Sequence, residues 1–270
     1  MTRRDEIEAY WESGNTVSLL DSNLRMLEES TVLRYLHKNM VFADLGCGGG
    51  QSTVRYAAAV KSCLALEQSS HLRSNAKTLF DEAKLINVEL VPGSVSDLSQ
   101  YVGRFDGVLT QRVVINFLSW EEQKHVIEQV RATLKPGGLY VMIENTYEGA
   151  ENLNAVRRQV GLDNIPVHWH NYFLHYPLLM DFLKDKFVIE KVHTFDLYYL
   201  LTRVFENLLG KFEGYGANAK FDEIFKIADP AARKLFEALG ERLSVQVPAG
   251  NSFGPCQAFI LRKLGCWPPR

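Results

Sequence analysis

One short segment constrains the fold of this chain more than any other. Val41–Leu45 is apolar apart from Asp44 and is followed by a glycine-rich turn, Gly46, Gly48, Gly49 and Gly50. Ser52–Val60 then has the composition of a helix. A strand, a glycine turn and a helix in this order open a doubly wound α/β sheet. Because glycine lets a ligand approach the main chain closely, the turn predicts a binding site, and a tight turn without a ligand is the alternative.

Alternating strands and helices continue to about residue 145. Apolar runs bounded by turn residues predict the strands Met40–Leu45, Ser62–Glu67, Val88–Val91, Phe105–Thr110 and Leu139–Ile143. Ser119, with Glu122 three residues later, has the spacing of a helix N-cap with a capping box. Strands that alternate with helices predict a parallel sheet with right-handed crossovers.

The pattern changes after residue 145. Residues 151–161 are predicted to be helical, residues 165–176 are aromatic and irregular, and two further strands are predicted at Phe187–Val192 and Pro255–Arg262. Residues 199–247 between these strands are mostly of helical type, and residues 4–38 predict two helices. A long insertion in a compact domain is usually functional, so we expect residues 199–247 to be a lid or, alternatively, a dimer contact.

Two segments resemble the class I S-adenosylmethionine (SAM)-dependent methyltransferases. Asp44–Gly50 resembles their first motif, E/D-x-G-x-G-x-G, and Leu134–Val141 contains the L-K-P-G-G turn that commonly precedes their fifth strand. A dinucleotide turn, G-x-G-x-x-G, would instead place its third glycine at Gln51. The resemblance covers residues 40–145 and extends more weakly to the last strand.

This resemblance implies an α/β fold with a doubly wound, seven-stranded, mostly parallel sheet. Strand 7 would run antiparallel and form a hairpin with strand 6. We therefore expect a single domain over residues 1–270. Within it, residues 1–38 form an N-terminal helical cap, residues 39–198 and 248–265 the Rossmann-like core, and residues 199–247 the helical insertion.

The resemblance also implies which residues hold SAM. Asp44 would orient the amino group of SAM, the glycine turn would wrap its methionine part, and Glu67 would accept hydrogen bonds from both ribose hydroxyls. The full expected set is Asp44, Gly46, Cys47, Gly48, Gly50, Glu67, Gln68, Val95, Ser96, Asp97 and Gln111. Two plainer alternatives remain, in which Glu67 is a solvated strand end and Asp97 caps a short helix.

The residues after strand 4 are where the chemistry of this family differs between members. Thr110–Asn116 lacks the Asn/Asp-Pro-Pro-Tyr/Phe motif of enzymes that methylate base amines, and it contains no Asp for a magnesium ion. Gln111 is expected to lie over the cofactor. Arg112 is expected to bind an anionic group of the acceptor or, alternatively, to form a salt bridge with an acid at the sheet edge.

A cluster of histidine, amide and aromatic residues follows at 168–172. His168 and His170 face the same side of an extended backbone, and no Cys or acid lies at a convincing distance to complete a zinc site with them. A neutral histidine accepts protons near pH 7, so His170 is the expected general base, with His168 and Glu144 as further candidates. A packed loop is the alternative. The expected acceptor contacts are Arg112, Asn145, Arg157, Trp169, Asn171 and Tyr172.

Composition and charge indicate which classes of binding partner to expect. The net charge of -2 gives no basic surface, which argues against a nucleic-acid partner. The charged N-terminus and the absence of a long apolar run argue against a signal peptide and a membrane span. The four scattered cysteines indicate reduced thiols. We expect a cytoplasmic protein with a small-molecule acceptor, and a homodimer is one alternative for its assembly.

These features predict a metal-independent, SAM-dependent methyltransferase. It would transfer a methyl group to oxygen or nitrogen of a small acceptor of anionic or carbohydrate type. A SAM-binding partner or sensor without catalysis is one alternative, and an NAD-dependent dehydrogenase is another.

Overall fold

The computed structural model describes residues 2–13, 21–208, 230–231, 233–234 and 252–265. Within these residues one sheet is formed by β1 (Val41–Leu45), β2 (Ser62–Glu67), β3 (Val88–Pro92), β4 (Phe105–Gln111), β5 (Leu134–Asn145), β6 (Phe187–Thr194) and β7 (Cys256–Lys263). The strand order is β3-β2-β1-β4-β5-β7-β6. The first five strands are parallel, and β7 runs antiparallel to both β5 and β6. The predicted fold class is confirmed.

Helices cover both faces of this sheet. They are α1 (Arg3–Glu12), α2 (Ser22–Leu33), α3 (Gln51–Ala57), α4 (Ser70–Glu82), α5 (Trp120–Thr133), α6 (Tyr147–Gln159), α7 (Tyr176–Leu183) and α8 (Asp196–Tyr199). A π-helical turn at Leu200–Phe205 follows α8, and short 3-10 helices lie at Ser99–Tyr101 and Val114–Asn116. The central strands are therefore apolar on both faces, as expected for a covered parallel sheet.

Two large apolar clusters form most of the core, and a smaller third one joins β2 to α4 through Ala65, Ala76 and Phe80. The first joins the sheet to α5 and α7, with Val126 and Leu179 among its buried members. The second joins it to α2, α3 and α6, with Leu27, Tyr56 and Leu153. Each such side chain contributes about 1.5–3 kcal/mol when it is fully buried. Both faces of the sheet are thus closed, which leaves the ends of the strands for a binding site.

Some boundaries differ from the prediction. β5 begins at Leu134 rather than Leu139, because Leu134 already pairs with Phe105 on β4 and Lys135 forms an ion pair with Asp106. Gly137, with φ +71°, carries the chain through this irregular stretch.

Three further differences concern the starts of helices. α6 begins at Tyr147 because the Thr146 hydroxyl accepts from the Gly149 N–H. α7 was not predicted, since its residues follow an irregular aromatic segment. At α5, Ser119 is the N-cap as predicted, but Glu122 accepts from the Leu118 N–H and not from Ser119.

The helical insertion is only partly within the described residues. Its start is helical, in α8 and Leu200–Phe205. Most of residues 199–247 lies outside the described residues, so its function as a lid or dimer contact stays a prediction.

Candidate functional site

A cavity of about 420 Å³ opens at the carboxyl ends of β1, β2 and β4. The strand order reverses between β1 and β4, and ligands of doubly wound sheets bind at this point. The cavity is lined mainly by the glycine turn, the ends of β2 and β4, the 3-10 helix at Val114–Asn116, the loop at His170–Asn171, and α1.

The glycine turn forms the floor of the cavity. Gly46 has φ +82°, and a Cβ atom built there would lie 2.5 Å from Cγ2 of Val113. Its N–H donates to the Leu66 carbonyl at 2.7 Å, which joins the turn to β2. Any other residue at this position would strain the backbone and displace Val113, which is itself part of the cavity wall.

Gly50 has a different function from the one expected. It has φ +80° and is the N-cap of α3, and an added Cβ would lie 2.5 Å from the Phe80 ring on α4. Gly50 does not line the cavity. Its lack of a side chain allows α3 and α4 to pack closely.

Asp44 is buried at the end of β1 and lines the cavity. Its Oδ2 accepts from the Thr53 hydroxyl at 2.7 Å, which fixes the carboxylate. Burial raises the pKa of Asp44 to about 6, the Thr53 hydroxyl opposes this shift, and Glu67 adds to it. The group is therefore mostly ionised at neutral pH and can bind an ammonium group.

Glu67 joins β2 to the glycine turn. Oε2 accepts from the Gly48 N–H and Oε1 from the Ser69 N–H, each at 2.9 Å. Burial raises the pKa of Glu67, while the two N–H donors oppose this shift. A carboxylate has about four acceptor positions, so Glu67 keeps capacity for further donors from the cavity it lines.

Most of the predicted cofactor residues meet at this cavity. Those that line it are Asp44, Gly46, Cys47, Gly48, Glu67, Gln68, Val95 and Gln111. Burial raises the pKa of the Cys47 thiol well above its ordinary value, so it is a neutral filler. The free cysteines among the described residues are Cys47, Cys63 and Cys256.

Ser96 and Asp97 do not line the cavity. The hydroxyl oxygens of Ser96 and Ser94 form a hydrogen bond of 2.8 Å. Asp97 is exposed, and its Oδ1 accepts from the Ser99 N–H at 3.1 Å, at the start of the 3-10 helix. Hydrogen bonds from Ser99 lower the pKa of Asp97. The helix-cap alternative therefore describes its position.

Only some of the predicted catalytic and acceptor-binding residues line the cavity. Arg112, His170 and Asn171 line the cavity. The residues that do not line it are Glu144, Asn145, Arg157, His168, Trp169 and Tyr172.

Glu144 holds the loop after β4 in place through hydrogen bonds. It is completely buried, and its carboxylate accepts from the backbone N–H groups of Val113 and Val114 at 3.0 and 2.9 Å and of Ile115 at 3.3 Å. Burial raises the pKa of Glu144 to about 7, and these N–H donors and Arg112 oppose the shift. All of these bonds shape the loop after β4, so Glu144 does not face an acceptor.

Arg112 forms a salt bridge, as the alternative interpretation expected, although its partner is on a helix and not at the sheet edge. Its guanidinium pairs with buried Glu28 on α2, which also accepts from Gln111. Arg112 has φ +55°, a left-handed conformation that costs a non-glycine residue energy. Coulombic attraction from Glu28 raises the pKa of Arg112, although burial opposes it.

Arg157 is also engaged away from the cavity. It is 6% exposed and donates to the Asp163 carbonyl at 2.7 Å, to the Arg203 carbonyl and to Asn207. It holds α6 to the segment after it and to the helical turn that follows α8.

His170 is a polar residue that lines the cavity. It is 8% exposed, its ring stacks on Tyr10 at 4.6 Å, and Trp11 and Trp169 meet it edge-on. The His168 ring lies parallel at 5.7 Å but is exposed. Burial, and then His168, lower the pKa of His170. The imidazole is therefore neutral at physiological pH.

Two features are absent from the part of the chain that the structure describes. No group of three or more His, Cys, Asp or Glu side chains could hold a metal ion. No helix there has the length and apolar character needed to span a bilayer.

Residues 42–138 match the methyltransferase domain family. This segment is therefore similar to class I methyltransferase domains. The resemblance predicted from the glycine turn and the L-K-P-G-G turn is confirmed, and the matched segment contains Asp44, Glu67 and Arg112.

Curated relatives of this methyltransferase domain give partial matches. The chain is 26% identical over 145 residues to an uncharacterized protein of Rickettsia prowazekii (strain Madrid E), covering 53% of this chain and 58% of that protein. It is 31% identical over 101 residues to an uncharacterized methyltransferase of Synechocystis sp., covering 37% and 45%. The matches thus span about half the length of these relatives.

One solved structure shares the fold of this chain. It is phosphoethanolamine N-methyltransferase 1 of Haemonchus contortus, in complex with phosphoethanolamine and S-adenosylhomocysteine. The TM-score is 0.64 at 12% identity, with 100% of this chain and 51% of the other covered. At this identity the likeness concerns the fold alone.

The sequence predicted an N-terminal helical cap, but not which residues of α1 line the cavity. Ile7 and Trp11, one helical turn apart, line it together with Arg4, Glu8 and Glu12. Thr2 and Asp5 form a capping box that predicts a helix here. No local pattern, however, predicts that the helix lies over the ends of β1 and β2.

Glu12 fastens α1 to the N-terminus of α4. Its carboxylate accepts from the Ser70 N–H at 2.7 Å, the Ser70 hydroxyl at 2.9 Å and the His71 N–H at 3.2 Å. These bonds lower the pKa of Glu12. A carboxylate at a helix N-terminus is stabilised by the unpaired N–H groups there.

We expect Glu12→Gln to loosen α1. Loss of the charge at the helix terminus weakens docking by about two- to fivefold in equilibrium constant. Hydrogen exchange of the α1 amides, measured by mass spectrometry, should accelerate by a similar factor. Glu6→Gln is the matched control, because Glu6 is exposed on the same helix. Equal exchange in all three proteins would show that Glu12 does not hold α1.

Proposed function

We propose that this chain binds SAM in the cavity and transfers its methyl group to oxygen or nitrogen of a small acceptor without a metal ion. The observation that carries the proposal is the convergence of Asp44, the glycine turn and Glu67 on one cavity of a methyltransferase domain. The S-adenosylhomocysteine bound by the Haemonchus contortus enzyme supports the same cofactor chemistry.

Each residue of this group fits one part of SAM. The remaining acceptor positions of Glu67 suit the two ribose hydroxyls, and the fixed carboxylate of Asp44 suits the amino group. At Gly48 an added Cβ would meet no atom within 4 Å, so the turn is open there to a ligand. Gln111 and Val113 line the same cavity from the β4 side.

The chemistry that remains for the protein is modest. SAM supplies a methyl group already activated on a sulfonium. Holding an acceptor atom in line with this methyl group supplies most of the acceleration. A hydroxyl acceptor needs a base, and the neutral imidazole of His170 is placed at the cavity to accept the proton. An uncharged amine scarcely needs one.

Calorimetry with SAM tests the proposal. In Glu67→Ala the two ribose hydroxyls lose their acceptor, so binding should weaken by about 1.5–3 kcal/mol, as for hydrogen bonds to a charged group. Glu82→Ala, at the exposed end of α4, is the matched control. Unchanged SAM affinity in folded Glu67→Ala would remove this assignment. Tighter binding of NAD than of SAM would favour a dehydrogenase, and SAM binding without transfer to any acceptor would favour a sensor.

Metal independence is a separate prediction. Within the described residues no cluster of three possible ligands exists. Transfer activity should therefore be unchanged after treatment with EDTA and gel filtration. Loss of activity that zinc or magnesium restores would contradict the prediction.

A further inference from the structure

Two polar atoms without partners belong to residues that line the cavity. They are Oδ1 of Asn116 and Nδ1 of His170, both buried and without a hydrogen bond. A buried polar atom costs free energy unless a partner is supplied. Because the side chain of His170 is more than nine-tenths buried and lines the cavity, a bound molecule is the natural source of that partner.

The orientation of the Asn116 amide is fixed. Its Nδ2 donates to the Arg112 carbonyl at 2.9 Å, which leaves Oδ1 as the unpaired end. A carbonyl oxygen only accepts, so the missing partner is a donor.

The two residues are held on neighbouring segments. The Tyr172 N–H donates to the Ile115 carbonyl at 2.7 Å, which ties the loop that carries His170 to the 3-10 helix that carries Asn116. Gln123 on α5 donates to the Tyr172 carbonyl at 2.7 Å and further fixes the loop. The two segments are therefore fixed relative to each other.

The charges at the cavity favour an uncharged acceptor over an anionic one. The arginines that line it are Arg4, Arg25 and Arg112. They pair with Glu122 at 3.1 Å, with Glu29 at 3.8 Å and with buried Glu28, respectively. No lysine is among the lining residues that the structure describes. An anionic acceptor therefore meets no cation among these lining residues that is not already paired with a carboxylate.

We propose that Asn116 and His170 form the acceptor subsite, and that it takes a small uncharged molecule with two hydrogen-bond donors, one of them the hydroxyl that is methylated. This inference rests on the proposed function. The hydroxyl oxygen forms the new bond to the methyl carbon, the carbon–sulfur bond breaks with its electron pair on sulfur, and the hydroxyl proton passes to Nδ1 of His170. The second donor bonds to Oδ1 of Asn116 and fixes the orientation of the acceptor.

A matched series of aromatic probes tests the subsite, because Phe117 and Trp11 give this part of the cavity aromatic walls. Catechol has two neighbouring hydroxyls, phenol has one, and salicylate adds a negative charge. Their binding to the protein loaded with S-adenosylhomocysteine is measured by calorimetry, and their methylation with labelled SAM. Catechol should bind at least about tenfold more tightly than phenol, and salicylate should bind least.

The Asn116→Ala variant decides the function of Asn116. It should remove the preference for catechol over phenol, because the second hydroxyl of catechol loses its hydrogen bond to Asn116. Phenol has no second hydroxyl, so its affinity should stay within about twofold. Asn116→Asp keeps an acceptor oxygen and should retain the preference for catechol. It provides the test if Asn116→Ala does not fold. The control is Asn75→Ala, an exposed amide on α4.

Different results would contradict the acceptor subsite and the binding of SAM. If S-adenosylhomocysteine binds but salicylate is the preferred probe, if no uncharged probe binds, or if Asn116→Ala weakens catechol and phenol equally, the subsite is overturned. If neither SAM nor S-adenosylhomocysteine binds the native protein, the proposed function itself fails.

Discussion

His170→Ala is expected to lower the single-turnover rate of methyl transfer to a hydroxyl acceptor by about 10²–10⁴ near neutral pH, the usual cost of losing a general base. The imidazole is buried at the cavity between Tyr10, Trp11 and His168, so no solvent molecule replaces it in the same orientation. SAM affinity should not change, because the expected cofactor contacts lie on the glycine turn and β2. With an uncharged amine acceptor, the variant should mainly weaken acceptor binding.

The dependence of the rate on pH separates a base from a packed residue. Because the pKa of His170 lies below its ordinary value of 6.5, the native rate should fall only as the pH drops through that lowered value. His170→Ala should lack this decline. His125→Ala, an exposed histidine on α5, is the control. Identical rates and pH profiles for native protein and His170→Ala would assign His170 to loop packing.

Glu144→Ala should be the most destabilising of the substitutions considered. It leaves the buried N–H groups of Val113, Val114 and Ile115 without acceptors. Each unsatisfied donor costs about 1–3 kcal/mol, and water that enters the space relieves part of this, so the free energy of unfolding should fall by about 3–5 kcal/mol. Urea denaturation followed by circular dichroism measures it. A loss below about 1 kcal/mol would contradict the structural function.

The pH dependence of stability gives an independent check. The folded pKa of Glu144 is raised to about 7 from 4.5, so the folded state holds this proton more tightly than the unfolded state. Its contribution to stability is therefore fully present below about pH 4.5 and is lost as the pH rises to about 7. Glu144→Gln, which keeps one acceptor oxygen, should be destabilised less than Glu144→Ala and should lack this component. Asp44 gives a similar component up to about pH 6 that remains in both variants.

The fold, and the meeting of Asp44, the glycine turn and Glu67 at one cavity, could largely be predicted from sequence, because they depend on local patterns. Apolar runs of strand length, the backbone freedom of Gly46 and the acids at the ends of β1 and β2 each act within a few residues. In a parallel sheet, neighbouring strands end at one edge, so Asp44 and Glu67 had to come together. Gly50 and Asp97 do not line the cavity, because Gly50 packs against Phe80 and the Asp97 carboxylate accepts from the Ser99 N–H.

The acceptor side of the cavity was decided by the tertiary structure. Glu144, Arg112 and His170 are all polar residues near strand ends, and their sequence neighbours do not distinguish them. Their functions depend on partners far away along the chain: backbone N–H groups of the β4 loop for Glu144, Glu28 of α2 for Arg112, and the rings of α1 for His170. A buried polar group is available to a ligand only if its hydrogen bonds are not already formed within the protein. The sequence determines which groups are present, and the packing of distant segments determines which of them stay unsatisfied for a ligand.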